Sequence, residues 1–236
     1  RKIILALLQL FEGHLNKIRL QKLLFLFTIK QSKAAYHFIP FRYGCYSYSA
    51  NADLTTMVAK GLLKESKKDF VKLIRANYLK QVSPDDLDGL LQLKKEYGRM
   101  STRALMKYTY LNHPFFAINS EVAPEILIKD ELKKVNAARP GNTDTILFTI
   151  GYEGISLEEY LVRLLNANVK VLVDVRNNPL SMKYGFSKNQ LKRYCENLNI
   201  RYVHMPEVGI QSAHRQELNS QADYDRLFAT YRKHNL

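Results

Sequence analysis

Three short apolar runs, residues 146–150, 169–175 and 201–205, carry or meet groups able to do chemistry: Gly151 and Tyr152, Asp174 and Arg176, His204 and Glu207. An acid, a guanidinium and an imidazole gathered at one edge would hold an anionic or sugar-like ligand and move protons. Arg176 is the expected anion clamp, because its planar fork meets phosphate or carboxylate at two points. Asp174 is read either as the group that orients His204 or as a base, and Glu207 as the second acid/base group. Gly151 allows a ligand close to the backbone, and a helix start at Ser156 favours negative charge beside it. The plainer alternative is an Asp174–Arg176 ion pair that ties loops together, with His204 satisfied in the core. A metal held by Asp174, His204 and Glu207 lacks tight ligand spacing, so no metal site is read. Gly151-Tyr152-Glu153-Gly154 has neither the third glycine of a dinucleotide fingerprint nor the lysine of a P-loop. No serine sits in a nucleophile elbow, no cofactor is indicated, and Cys195 falls inside a helix without the features of a reactive thiolate.

The elements around these residues alternate. Residues 146–150 read as a strand, and Ser156 with Glu159 forms a capping box that opens a helix through residue 166. A strand at 169–175 follows, then a second box at Ser187 with Gln190, a helix burying Leu191, Tyr194 and Leu198, and a strand at 201–205. Asn168 and Asn199 stand where left-handed C-caps are needed. Ser220 opens a further amphipathic helix. This β-α-β-α-β order, with right-handed crossovers, predicts an α/β domain with an open parallel sheet. In such sheets ligands bind at the carboxyl ends of the strands, where all six residues would lie.

Charge divides the chain. Residues 1–140 hold 24 Lys+Arg against 12 Asp+Glu, and residues 141–236 hold 12 against 10, so nearly all of the net +14 lies in the first part. Residues 129–145, with Arg139-Pro140-Gly141-Asn142, read as a helix end and linker, so a domain boundary is placed near residue 140, giving a basic, mostly helical domain at 1–140 and the α/β domain at 141–236. In the first, helices are predicted near 3–11, at 17–30 and from Ser49 to Gly61, followed by a hairpin over 62–74. That order resembles a winged helix, whose hairpin lies over phosphates while a helix enters the groove. Lys64, Lys67, Lys68, Lys72 and Arg75 would supply the phosphate contacts, with a nucleic acid, DNA foremost, as the polyanion partner. A solvated turn on a protein-binding module remains the alternative. Tyr43, Tyr46 and Tyr48 either stack on bases or fill a small core, the latter favoured. Helices also start at Ser83-Pro84 and at Ser101, and His113-Pro114 ends the second.

No stretch reaches the length of a membrane span, and Cys45 and Cys195 form neither a disulfide framework nor a zinc pattern. A cytoplasmic setting without membrane contact is expected, and oligomeric state is not legible.

Thr149-Ile150-Gly151-Tyr152, residues 173–181, Phe186-Ser187 and residues 200–209 together resemble the family known as domain of unknown function 488, over roughly residues 145–210. The resemblance implies a Rossmann-like domain without a settled activity. Gly151, Asp174, Arg176, Pro179, Ser181, His204, Pro206 and Gly209 fall on its motif positions, which adds Ser181 to the ligand-binding set. Met182 and Ile210 depart from an arginine and a glycine common in the family. The family's later Cys-His-Arg strand is not reached by Leu236, and His214-Arg215 does not substitute for it, so an α/β domain incomplete at its C-terminal side is expected. The start without Met implies a trimmed chain. Residues 20–25 and 43–47 loosely resemble antitoxin-like and defence-associated bacterial proteins, which implies a genome-defence setting. The combined expectation is a nucleic-acid-binding protein whose α/β domain binds or processes a nucleotide or nucleic-acid phosphate. The alternative is a non-enzymatic DNA-binding regulator, and a protein adaptor stands third.

Overall fold

The structure, a computed structural model, describes residues 1–141, 144–210 and 219–235. It is a mixed α/β protein with about 49% helix and 11% strand, so helices do most of the packing. The chain divides into two compact units, Arg1–Ala167 and Asn168–Leu236.

In the first unit, α1 (Lys2–Leu10) buries Ile4, Leu5, Leu7 and Leu8. Gly13, at φ +79°, turns the chain into β1 (His14–Asn16). The Asn16 side chain then caps α2 (Lys17–Thr28) by accepting from the amides of Ile18 and Arg19. A tight hairpin, β2 (Ile39–Phe41) and β3 (Gly44–Tyr46), leads to α3 (Tyr48–Ala59). The α3 cap is Ser47, two residues before the serine expected from sequence. The predicted hairpin is present as β4 (Leu63–Glu65) and β5 (Asp69–Lys72). β5 also pairs antiparallel with β1, giving a three-stranded sheet in the order β1-β5-β4. β1 is three residues long and mostly polar, too short to show a period of two. It escaped sequence reading for that reason.

Ser83 and Ser101 cap α4 (Pro84–Tyr97) and α5 (Thr102–Asn112) as predicted. Asp85 and Asp86 in the first turn of α4, and Lys94 and Lys95 in its last, complement the helix dipole. A 3-10 turn (Pro114–Ala117), α6 (Ala123–Ile126), α7 (Lys129–Ala137) and α8 (Leu157–Asn166) complete the unit. The core joins α1, α2, α3, α4 and α5, and a smaller cluster of Met106, Tyr110, Ile118 and Val135 lies beside it.

Lys22 is fully buried in this core, and its ammonium donates to the Cys45 carbonyl at 2.9 Å. Desolvation lowers its pKa, against an opposing pull from Cys45. Between that lowered value and the ordinary lysine value of about 10.4, the unfolded chain binds the proton more strongly. Stability contributed at this position therefore rises with pH in that window. Relative to Lys22→Met, the wild type should gain stability as pH is raised toward 10. Urea titrations at several pH values check it, and a pH-independent difference would refute it.

Two expectations are corrected. Residues 146–150 form no strand: Ile146, Leu147 and Phe148 are 48%, 93% and 49% exposed and have no regular structure. The helix expected to follow that strand onto a parallel sheet packs instead against α3 and β2 of the first unit, burying Leu157, Tyr160, Leu161 and Leu164. With α8 packed there, the two compact units part between Ala167 and Asn168, downstream of the linker read near residue 140. Linker composition marks where regular structure stops; packing follows the apolar face of α8.

In the second unit, β6 (Val171–Asp174), α9 (Lys188–Glu196) and β7 (Arg201–His204) form a β-α-β, with a 3-10 turn (Pro206–Val208) and α10 (Gln221–Asn235) after it. β6 and β7 are parallel, with Leu172 opposite Tyr202 and Asp174 opposite His204. The sheet has two strands among the described residues, narrower than the open Rossmann-like sheet expected, since residues 146–150 supply no third. Asn168 and Asn199 take the left-handed conformation, at φ 51° and 59°. Leu172 and Tyr202 on one face are buried, with α9 packed on β7, whereas Val171 and Val173 on the other are nearly half exposed. No helix among the described residues is long and apolar enough to cross a membrane.

Candidate functional site

Asp174 ends β6 with its side chain buried, and Arg176 folds back onto it two residues later. The guanidinium donates from Nε to Oδ1 at 2.8 Å and from Nη2 to Oδ2 at 2.6 Å, and the Arg176 amide adds a bond to Oδ1 at 3.1 Å. Tyr202 donates its hydroxyl to Oδ2 at 2.5 Å. Burial pushes the Asp174 carboxyl up, but the bonds from Arg176 and Tyr202 and the Arg176 charge outweigh it and hold it below the ordinary carboxylate value. The Tyr202 phenol is pushed up by burial and by the carboxylate it serves. Asp174 is thus a fixed anion, poorly suited to carry a proton. Arg176 Nη2 also donates to the Phe186 carbonyl at 2.8 Å, tying the 175–187 loop to the strand end.

His204, opposite Asp174 on β7, lies between two partners. Its Nδ1 is 2.8 Å from Lys188 Nζ and its Nε2 is 2.9 Å from the Arg176 carbonyl oxygen. An ammonium only donates and a carbonyl only accepts, so Nδ1 carries the lone pair and Nε2 the proton. Both ring nitrogens are engaged in one tautomer.

Gly209 closes the same end. A Cβ there would lie 2.1 Å from the Val175 carbonyl oxygen and 2.9 Å from the Asn177 amide, so only glycine lets these backbones meet. Ser181 shapes the loop: its hydroxyl accepts from the Lys183 amide at 3.1 Å, and its backbone exchanges two bonds with the Ser187 hydroxyl. Ser187 therefore caps α9 without making the box predicted for it. Glu207 is exposed in the 3-10 turn. Asp174, Arg176 and His204 are brought together; Gly151 and Tyr152 belong to the first unit, in the irregular segment before α8. His214-Arg215 lies outside the described residues.

Sequence reasoning missed Tyr202 and Lys188. Tyr202 was detectable, since it shares a strand face with His204 by the two-residue period. Nothing in the sequence marks Lys188, which meets His204 through the tertiary seating of α9 on β7.

In the first unit, Lys64, Lys67 and Lys68 are exposed on the β4–β5 hairpin and its turn, and Arg75 is exposed beyond it. The turn is braced by Ser66, which exchanges bonds with Asp69, and by the Lys68 carbonyl, which accepts from the Lys17 amide and the Asn16 side chain. Lys72 differs: its ammonium donates to the Ile74 and Ala76 carbonyls at 2.6 and 2.9 Å and lies over the Tyr78 ring. Tyr46 and Tyr48 pack on each other and on Phe41, with centroids 5.1 to 5.7 Å apart, whereas Tyr43 is 46% exposed. No group of His, Cys, Asp and Glu among the described residues is arranged to hold a metal ion.

Residues 156–236 match the family model described as domain of unknown function DUF488. No curated protein and no solved structure matches the chain.

Proposed function

We propose that this protein binds nucleic acid, DNA foremost, through a winged-helix-like module in its basic part, and that its α/β part holds a phosphate-bearing ligand such as a nucleotide. The observation that carries the reading is the braced hairpin with Lys64, Lys67 and Lys68 exposed on it, none in an ion pair among the described residues. The order helix, strand, helix, short hairpin, helix and second hairpin is compatible with the winged-helix comparison, with β2 and β3 inserted between its second and third helices. α3, which such a module would send into a groove, carries no Lys or Arg and meets α8. The charge therefore favours phosphate contact over base reading. A genome-defence setting rests only on the resemblance of the region around residues 20–47.

Fluorescence anisotropy of the full chain on short DNA and RNA duplexes and single strands, across a salt series, tests this. Replacing Lys64, Lys67 and Lys68 by Ala should weaken duplex binding at low salt. It should also flatten the slope of log K against log salt by about 2–3, near one unit per lost phosphate contact. Absence of salt-sensitive binding at low ionic strength, or binding indifferent to the three substitutions, would refute it.

One observation favours the second reading, a non-enzymatic regulator. The Asp174 carboxylate is held by Arg176 and Tyr202 and both ring nitrogens of His204 are engaged, which describes a scaffold better than a poised acid–base set. Under it, Glu207→Gln alters DNA affinity through the α/β part and there is no turnover to lose.

A further inference from the structure

The 175–187 loop between β6 and α9 carries the two most exposed large apolar side chains described in the second unit. Leu180 is 75% exposed and Met182 wholly so. The loop backbone is braced rather than free to tuck them in. The Lys188 amide donates to the Pro179 carbonyl at 2.9 Å, the Leu180 amide to Asn178 Oδ1 and the Gly185 amide to Gln190 Oε1, both at 3.2 Å. Ser181, between the two apolar residues, has its backbone tied to the Ser187 hydroxyl, and Phe186 anchors the loop from a fully buried position. Single exposed apolar residues are ordinary, but two held two residues apart at one loop tip form a fixed apolar protrusion.

Behind the tip stand tyrosines, then cations. Tyr184 is 41% exposed and shares a hydrogen bond with Tyr194 at 3.1 Å between hydroxyls. Arg193, exposed on α9, lies over the Tyr194 ring and donates to its hydroxyl at 3.4 Å. Lys183 lies over the Phe186 ring at 5.5 Å. Residues 175–195 hold five Lys+Arg and no Asp or Glu. Of these, Arg176 and Lys188 are engaged by Asp174 and His204, and Lys192 reaches Glu196 at 3.8 Å. Apolar tip, tyrosine, then cation is the layering of a bilayer edge, from acyl chains through the interface to anionic headgroups. A protein partner would need a groove cut to the protrusion, whereas a lipid surface deforms around it, and the cations select an anionic one.

We propose that this loop docks the second unit on an anionic lipid surface, with Leu180 and Met182 entering the acyl region and Lys183 and Arg193 meeting the headgroups. Contact of this peripheral kind needs no spanning helix, and it departs from the expectation of a chain without membrane contact. It is independent of the lysine hairpin.

Cosedimentation of the full chain with phosphatidylcholine vesicles, with and without phosphatidylglycerol, tests it. Binding should require phosphatidylglycerol and fall with added salt. Leu180→Ser with Met182→Ser should weaken it about tenfold, as partial burial of two such side chains implies. Lys183→Gln and Arg193→Gln should each weaken it about fivefold. Leu180 and Met182 are exposed, so their variant keeps the fold, and melting curves verify this. Replacing Lys64, Lys67 and Lys68 by Ala should leave vesicle binding in place. A nitrobenzoxadiazole label on Met182→Cys, selective because Cys45 and Cys195 are buried, should shift to the blue on the same vesicles. The proposal is overturned if no vesicle binds, if the label stays in water on bound vesicles, or if the hairpin variant alone abolishes binding. Loss of duplex DNA binding in the Leu180–Met182 variant, with vesicle binding untouched, would overturn it too and assign the loop to nucleic acid.

Discussion

Glu158→Ala is expected to destabilise the first unit by about 3–5 kcal/mol, the loss typical of removing one partner from a buried charged network. The Glu158 carboxylate is fully buried, and three donors converge on it: the Ser47 hydroxyl at 3.1 Å, the Ser49 amide at 2.7 Å and the Ser49 hydroxyl at 2.9 Å. All three come from the start of α3, so the carboxylate also faces the positive end of that helix dipole. Alanine would leave the buried Ser47 hydroxyl without this acceptor, at about 1–3 kcal/mol before any rearrangement, and the two half-buried Ser49 donors without theirs at a smaller cost. Glu158→Gln should fall between, because the amide keeps one oxygen but turns two hydrogens toward donors. Urea unfolding reads the difference; an alanine variant within 1 kcal/mol of the wild type, a change expected of an ordinary surface substitution, would show the network is not needed.

The second large effect concerns Asp174. Asp174→Asn is expected to cost the second unit about 3 kcal/mol at neutral pH, because the Arg176 guanidinium loses its counter-charge in a largely buried setting. The pH dependence has a definite sign. The folded-state pKa of Asp174 lies below its unfolded value of about 3.9, so its stabilisation is present above that value and disappears as pH falls through the folded one. The gap between wild type and Asp174→Asn should therefore be full at pH 7 and close below about pH 4. Arg176→Ala should cost a similar amount, and a double-mutant cycle should return strong coupling. Equal unfolding midpoints for wild type and Asp174→Asn at pH 7 would show the pair carries no structural load.

Much of the local structure was legible because its signals lie within a few residues of one another. Ser83 and Ser101 as caps, the Ser156–Glu159 box, and the left-handed Asn168 and Asn199 depend on spacing along the chain. What was not legible depends on partners distant in sequence. The apolar run at 146–150 satisfies a strand pattern, but a strand needs a neighbour and no described strand pairs with it. The site was half legible: residue type placed Asp174, Arg176 and His204 at strand ends, where they are. Residue type gives no direction, however, and a clamp for an external anion reads the same as a clamp on Asp174. The geometry gives Arg176 that second task. Similarly, Lys72 counts as a free cation on the hairpin until its ammonium is found on two backbone carbonyls.

The family match begins at Ser156, the cap residue of α8, yet α8 folds with the residues that precede the match. Sequence similarity and packing thus draw their borders on opposite sides of one helix. A fragment beginning at the edge of the matched region would carry four apolar side chains and a buried acid whose serine partners stay behind. Such a fragment would need Ser47 and Ser49, or equivalents, to satisfy Glu158. A protein cut at the edge of the matched region would leave the apolar face of α8 without the α3 and β2 surface that buries it.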